Sequence, residues 1–141
     1  RVLKESPLIR ERVTRLQTIG GVGEVTALTW VLEVGEVERF GAVRQAVSYC
    51  GLCAAQKESA GKESRGPISK KRNKHLQTVL IEAAKLAPHW NPQLAEIHER
   101  ELTKGNKNRA TLAVARKLVA YMLAVEKSKK DFEMTAPYQA A

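Results

Sequence analysis

Aspartate is almost absent from this chain. Asp131 is the only one among 141 residues, and it lies near the C-terminal end. Nucleases that work through two metal ions need several carboxylates converging on one point. The glutamates here are scattered among basic neighbours, so the chain by itself does not read as a metal-dependent nuclease. Aromatic residues are also scarce, at 5% against 43% hydrophobic residues, so a core must be built mainly from aliphatic side chains. No apolar run reaches membrane-spanning length, and no basic-then-apolar stretch opens the chain as a secretory signal would. Only two cysteines occur, Cys50 and Cys53, which together with the missing signal fits a reducing cytoplasm. They form a lone C-x-x-C. Structural zinc needs about four ligands, and the βαβ setting of a redox pair is missing, so the pair reads as structural. The length fits one domain. The start at Arg1 rather than at Met suggests a piece of something longer.

Positive charge, in contrast, is abundant and concentrated. The net charge is +9. Residues 57–74 hold seven Lys/Arg against two Glu, and residues 104–130 hold eight against one. Residues 1–56 are nearly balanced, with seven basic and six acidic. Two such blocks point to a polyanionic partner, with nucleic acid the default. A solvated, solubilising surface would account for one block more easily than for two.

The hydrophobic spacing is helical throughout. A first helix covers about 7–18, with Ile9, Val13 and Leu16 on one face. Gly20-Gly21-Val22-Gly23 breaks it. Val25, Leu28 and Leu32 resume the spacing, Gly35 ends it, and Ala27, Trp30, Val31 and Val34 add apolar surface on other faces. A third helix carries Val43, Ala46, Val47 and Cys50, with Gly51 as its cap. Residues 51–68 show no period and contain Gly51, Gly61, Gly66 and Pro67, so they predict a long irregular loop. A fourth helix follows Asn73 as N-cap, carries Leu76, Val79, Leu80, Ala83 and Ala87, and stops at Pro88. Asn91-Pro92 opens a fifth in cap-then-proline order, and Gly105 ends it. A sixth runs from about Arg109 to Lys127, with Ala115, Leu118, Val119 and Met122 inward. The sequence therefore predicts an all-α domain of about six helices over residues 1–130, with a tail over 131–141.

Two segments carry candidate chemistry. Helix, Gly-Gly-Val-Gly, helix over about 8–35 has the layout of a helix-hairpin-helix. Glycines at Gly21 and Gly23, around Val22, permit a tight reversal and let a phosphate approach the backbone, where N–H groups at a helix start bind anions. An ordinary tight connection satisfies the same spacing. The second segment, 57–75, places Ser59 among Lys62, Arg65, Lys70, Lys71, Arg72 and Lys74. A serine hydroxyl can attack a phosphodiester if a base takes its proton and cations stabilise the developing charge. The cations are present. No base is obvious in the loop, where Glu58 and Glu63 are only possibilities; His75, opening the next helix, could sit nearby or could be a surface or capping residue. By chemistry alone Ser59 reads as a turn residue rather than a nucleophile. His89 and His98 show no partner spacing, and Trp30 and Trp90 read as core anchors.

Several motifs resemble those of one known family. Ile19-Gly20-Gly21-Val22-Gly23 with Thr26-Ala27-Leu28 resembles its "IPGVG…TAL" opening, and Phe40-Gly41-Ala42-Val43-Arg44-Gln45 its "F.SARQ" segment. Ser48-Tyr49-Cys50-Gly51-Leu52 resembles "SYLGL". Ser59-Ala60-Gly61, Gly66-Pro67-Ile68-Ser69-Lys70 and Asn73-Lys74-His75-Leu76 resemble "SSG…GGITK.GN.HL". Ala113-Val114-Ala115-Arg116-Lys117-Leu118 resembles a later "AVARKLL". These are landmarks of the C-terminal half of bridge-RNA-guided insertion-sequence transposases of the one-hundred-ten type, and they run from about Leu16 to Lys127. The chain departs from the pattern at Ala54, Ala60 and Arg72.

The resemblance implies a DNA-binding, strand-joining domain of a serine-dependent recombinase, with the family serine falling on Ser59. It implies an N-terminal RuvC-like acidic domain holding Mg2+, a structured guide RNA that pairs with DNA, and shared active sites in a homo-oligomer. It implies no cofactor or metal in this chain, no membrane partner, and no activity for the isolated piece. A non-catalytic helix-hairpin-helix module gripping nucleic acid, or a helical oligomerisation domain, are the alternative readings.

Overall fold

A computed structural model describes residues 6–52 and 73–133. Among them the chain is all helical. The helices are α1 (Pro7–Leu16), α2 (Glu24–Val34), α3 (Val43–Tyr49), α4 (Lys74–Leu86), α5 (Pro92–Lys104) and α6 (Lys107–Ser128). Short 3-10 turns at Val37–Arg39 and Ala87–His89 complete the set, and the sequence reading did not foresee them. No helix among the described residues is long and apolar enough to cross a membrane.

The starts of α4, α5 and α6 are fixed by asparagine, which accepts hydrogen bonds from N–H groups that have no partner within the first turn. Asn73 Oδ1 accepts from the N–H of His75 (3.0 Å) and Leu76 (2.9 Å). Asn91 Oδ1 accepts from Gln93 (2.8 Å) and Leu94 (3.1 Å) ahead of Pro92, and Asn106 caps α6 through Arg109 N–H at 2.9 Å. At α3 the cap comes from inside the helix: Gln45 Oε1 accepts from the N–H of Gly41 and Ala42.

The long α6 is the spine, packing against α1, α3, α4 and α5. Its inward face is Val114, Ala115, Leu118, Val119 and Met122, all fully buried. Each such large aliphatic side chain contributes about 2 kcal/mol relative to exposure. Facing it are Val13 and Leu16 from α1, Ala46 and Val47 from α3, and Leu76, Leu80 and Ala83 from α4.

On α2 the packing selects one of several apolar faces. Ala27, Trp30, Val31 and Val34 point inward, whereas Val25 is 70% exposed and Leu32 is also exposed. A polar lock explains the choice. Trp30 Nε1–H donates to Glu126 Oε1 of α6 at 3.0 Å. Arg12 of α1 reaches the same carboxylate, with Nε donating to Oε2 at 2.9 Å and Nη2 to Oε1, and Nη2 also donates to Gly35 O at 2.8 Å. The carboxylate is almost fully buried, and its Arg12 hydrogen bonds hold the guanidinium pKa above its already high value. One buried carboxylate thus joins α1, α2 and α6.

Trp90 departs from the core-anchor reading. It is 70% exposed, while Trp30 is fully buried. Trp90 ends the 3-10 turn that follows α4, and its Cβ and the base of its ring lie over Gly20.

Candidate functional site

The glycine turn between α1 and α2 is anchored by its apolar members. Ile19 and Val22 are buried, and Val22 N–H donates to Ile19 O at 3.0 Å. Gly21 has φ +95°, and a Cβ there would lie 2.6 Å from Ala87 Cα. Gly20 is closed in the same way by Trp90 Cβ at 2.7 Å. Gly23 differs: it is exposed, is the N-cap of α2 without a side-chain hydrogen bond, and a Cβ there would meet nothing within 4 Å. The turn therefore has a packed side at Gly20 and Gly21, and an open side at Gly23 where α2 begins.

The serine segment joins the fold between α3 and α4. Ser59, Lys62, Arg65, Lys70, Lys71 and Arg72 lie outside the described residues, as does most of the predicted 51–68 loop, while Lys74 is exposed on the first turn of α4. The two described ends of the segment are held side by side. Asn73 N–H donates to Tyr49 O at 2.8 Å, Gln77 Nε2 to Gly51 O at 2.8 Å, and Arg116 Nη1 to Leu52 O at 3.0 Å.

Glu33, near the end of α2, organises this junction. Its Oε1 accepts from Asn73 Nδ2 at 2.7 Å, its Oε2 faces His75 Nδ1 at 3.3 Å, and its backbone carbonyl accepts the Tyr49 hydroxyl at 3.1 Å. The Tyr49 ring lies 5.6 Å from that of Phe40, and the Arg39 guanidinium sits over both rings. Sequence reasoning missed Glu33. The available signal was a single charge inside the otherwise uncharged, mostly apolar run Ala27–Val34.

These contacts gather the motifs Phe40–Gln45, Ser48–Leu52 and Asn73–Leu76, distant in sequence, around one carboxylate. Residues 13–99 match the family model described as Transposase IS116/IS110/IS902 family. The chain belongs to this family. Among curated relatives, the family member is 39% identical over 83 residues to the transposase for insertion sequence element IS1111A of Coxiella burnetii, covering 59% of this chain and 23% of that protein. It is 30% identical over 122 residues to the transposase for insertion sequence element IS1328 of Yersinia enterocolitica, covering 84% of this chain and 36% of that one. A probable family 20 transposase of Pseudomonas aeruginosa is 31% identical over 74 residues, covering 52% of this chain and 22% of the relative. The chain thus spans between 22% and 36% of these relatives' lengths. No solved structure gives a significant match.

The second basic block is partly internal to the transposase fold. Arg116 holds Leu52 O, Lys127 Nζ holds Phe40 O at 2.7 Å, and Arg109 pairs with Glu101 at 2.9 Å. That pairing lowers the Glu101 pKa. Lys117 sits over the Tyr121 ring at 5.7 Å. The local excess over 104–130 is therefore not one phosphate-facing surface. Burial pushes the Cys50 thiol up to about 12, which keeps it protonated and inert at ordinary pH. Cys53 lies outside the described residues.

Proposed function

We propose that this chain is the DNA-binding and strand-joining domain of a transposase, with Ser59 as the nucleophile. The observation that carries the reading is the family match over residues 13–99, a span that includes Ser59. Support comes from the cationic composition around Ser59 and from the fixed ends of its segment at Leu52 and Asn73. Ser59 Oγ attacks a DNA phosphorus, and Lys62, Arg65, Lys70, Lys71, Arg72 and Lys74 stabilise the charge on the phosphate oxygens. The glycine turn contributes a helix-hairpin-helix contact. Gly23 and the N-terminal amides of α2 face a phosphate, while Gly21 and Val22 hold the turn in shape.

The working assembly includes DNA, a structured guide RNA that selects the site, an acidic RuvC-like domain, and further copies of the protein, in the bacterial cytoplasm. Mg2+ belongs to the acidic domain in this reading. Among the described residues of this chain, no three His, Cys, Asp or Glu side chains converge as metal ligands.

The test uses the transposase carrying this chain with its acidic domain, guide RNA, DNA and magnesium. Ser59→Ala abolishes cleavage and the covalent adduct while DNA affinity stays nearly unchanged, because only the attacking oxygen is removed. Ser64→Ala and Ser69→Ala, within the same segment, keep the adduct. If Ser64→Ala is the change that abolishes it, the nucleophile is misassigned.

A further inference from the structure

We propose that Trp90 is a stacking platform for an unpaired nucleobase of the nucleic acid that the transposase handles. This rests on the DNA-binding reading proposed above and adds to it a residue and a ligand class. The starting observation is an indole left out of the core in a chain poor in aromatics, which make up 5% of it. Trp30 and Phe40 are buried, and Tyr49, Tyr121 and Phe132 pack against the core. Among the described aromatic residues, Trp90 alone stands out in solvent, 70% exposed. Leu86, at the other end of the same 3-10 turn, is exposed as well.

The exposed ring stands on a fixed base. The Trp90 N–H donates to Ala87 O at 2.9 Å. The next residue, Asn91, is buried and caps α5 through Gln93 and Leu94. The Trp90 Cβ lies 2.7 Å from where a side chain on Gly20 would begin. Trp90 is therefore held against the same turn that carries Gly23, which lies three residues beyond Gly20, a span of roughly 10 Å at most. A strand whose phosphate meets that turn, as in the reading above, carries its bases within reach of the indole.

The shape and charge favour a base over a protein partner. Trp90 and Leu86 together offer roughly 200–300 Å² of apolar surface, against about 800 Å² per partner in a stable protein interface. One flat ring of that size matches one nucleobase, and every base has a face that stacks on it. The net charge of +9 favours a polyanion, and nucleic acid is the polyanion that brings bases with it. In a closed duplex the base faces are covered by their neighbours, so the ligand is an unpaired base at a strand end or in an opened segment.

The experiment measures the affinity of the complete transposase for labelled oligonucleotides by fluorescence anisotropy. Trp90→Ala weakens binding to single-stranded oligodeoxythymidine by about tenfold, within the range for losing one stacked base, and Trp90→Phe, which keeps a ring, loses less than about threefold. Alanine retains the Cβ that lies over Gly20, so the urea unfolding midpoint stays where it was. The slope of log affinity against log salt is unchanged, since no phosphate contact is removed. On an abasic strand of the same length Trp90→Ala binds as well as the unaltered protein, because there is no base to stack. An equal loss on oligouridine extends the platform to RNA, and a loss on the DNA strand alone confines it to DNA. Trp90→Ala binding to oligodeoxythymidine within about twofold of wild type overturns the proposal. An equal loss on the abasic strand also overturns it, since Trp90 then touches the backbone. So does normal binding by a Trp90→Ala protein whose oligomeric state has changed in light scattering, which points to a protein partner instead. Salt-dependent binding to duplex that ignores Trp90 and single strands overturns this inference alone, whereas an unaltered protein with no salt-dependent affinity for DNA overturns the DNA-binding reading itself.

Discussion

Gly21 and Gly23 stand two positions apart in one turn and answer to different constraints. At Gly21 the positive φ and the 2.6 Å approach of Ala87 leave no room for a side chain. Gly21→Val should therefore cost about 2 kcal/mol or more of stability, measured by urea unfolding. A loss of DNA affinity in that variant would report the fold rather than a phosphate contact. Gly23 is the informative position, because it is extended and open. Aspartate is a favoured N-cap, so Gly23→Asp should keep or raise stability while its carboxylate repels a bound phosphate and weakens DNA binding by about tenfold. Unchanged binding would make the turn a connector only.

The same scale shows where sequence reading stops. The asparagine caps at positions 73 and 91 were legible because side chain and spacing, and at position 91 the following proline, are local. Trp30 and Trp90 could not be told apart by size. Exposure of Trp90 depends on how the 3-10 turn at Ala87–His89 meets the glycine turn, a tertiary fact.

Among the elements, α2 shows the limit of periodicity. Its helical spacing was plain, but with apolar residues on every side it had no direction of its own. The Trp30–Glu126–Arg12 lock, spanning 96 and 114 positions, supplies that direction. Glu126 lies in a basic block of the sequence, and only the packing of α1 and α2 on α6 reveals its role. Glu126→Ala should cost about 3 kcal/mol, since it leaves the Arg12 guanidinium and the Trp30 N–H without their partner. Urea unfolding followed by tryptophan fluorescence measures this. A change below about 1 kcal/mol would mean that solvent replaces the carboxylate without penalty. The pairing should also persist as pH rises. Raising the Arg12 pKa gives stability that is complete below the unfolded value and lost only above the folded one, and both lie beyond ordinary pH.

Across the whole molecule, the net charge of +9 was plain in the sequence, but how the fold distributes part of it was not. The fold uses Arg116 and Lys127 to hold backbone carbonyls and pairs Arg109 with Glu101, and in the proposed reading the 57–74 segment is the main source of phosphate contacts. Binding to DNA should then fall with salt at a log–log slope of about −3 or steeper, with little sequence preference. Replacing Lys70, Lys71 and Arg72 with glutamine should flatten that slope more than replacing Lys127. A flat dependence in the unaltered protein would remove nucleic acid as the partner.

The helical order and the family landmarks could be read from the chain, and the junction around Glu33 could not, because it joins residues 40 and 42 positions apart. The central claim is the covalent one. Its most direct measurement is mass spectrometry of the DNA–protein adduct trapped with the complete transposase, guide RNA and magnesium, digested so that a nucleotide remnant marks the attachment residue. The account predicts the remnant on Ser59. A remnant on Ser64, Ser69 or any residue outside this chain would contradict it.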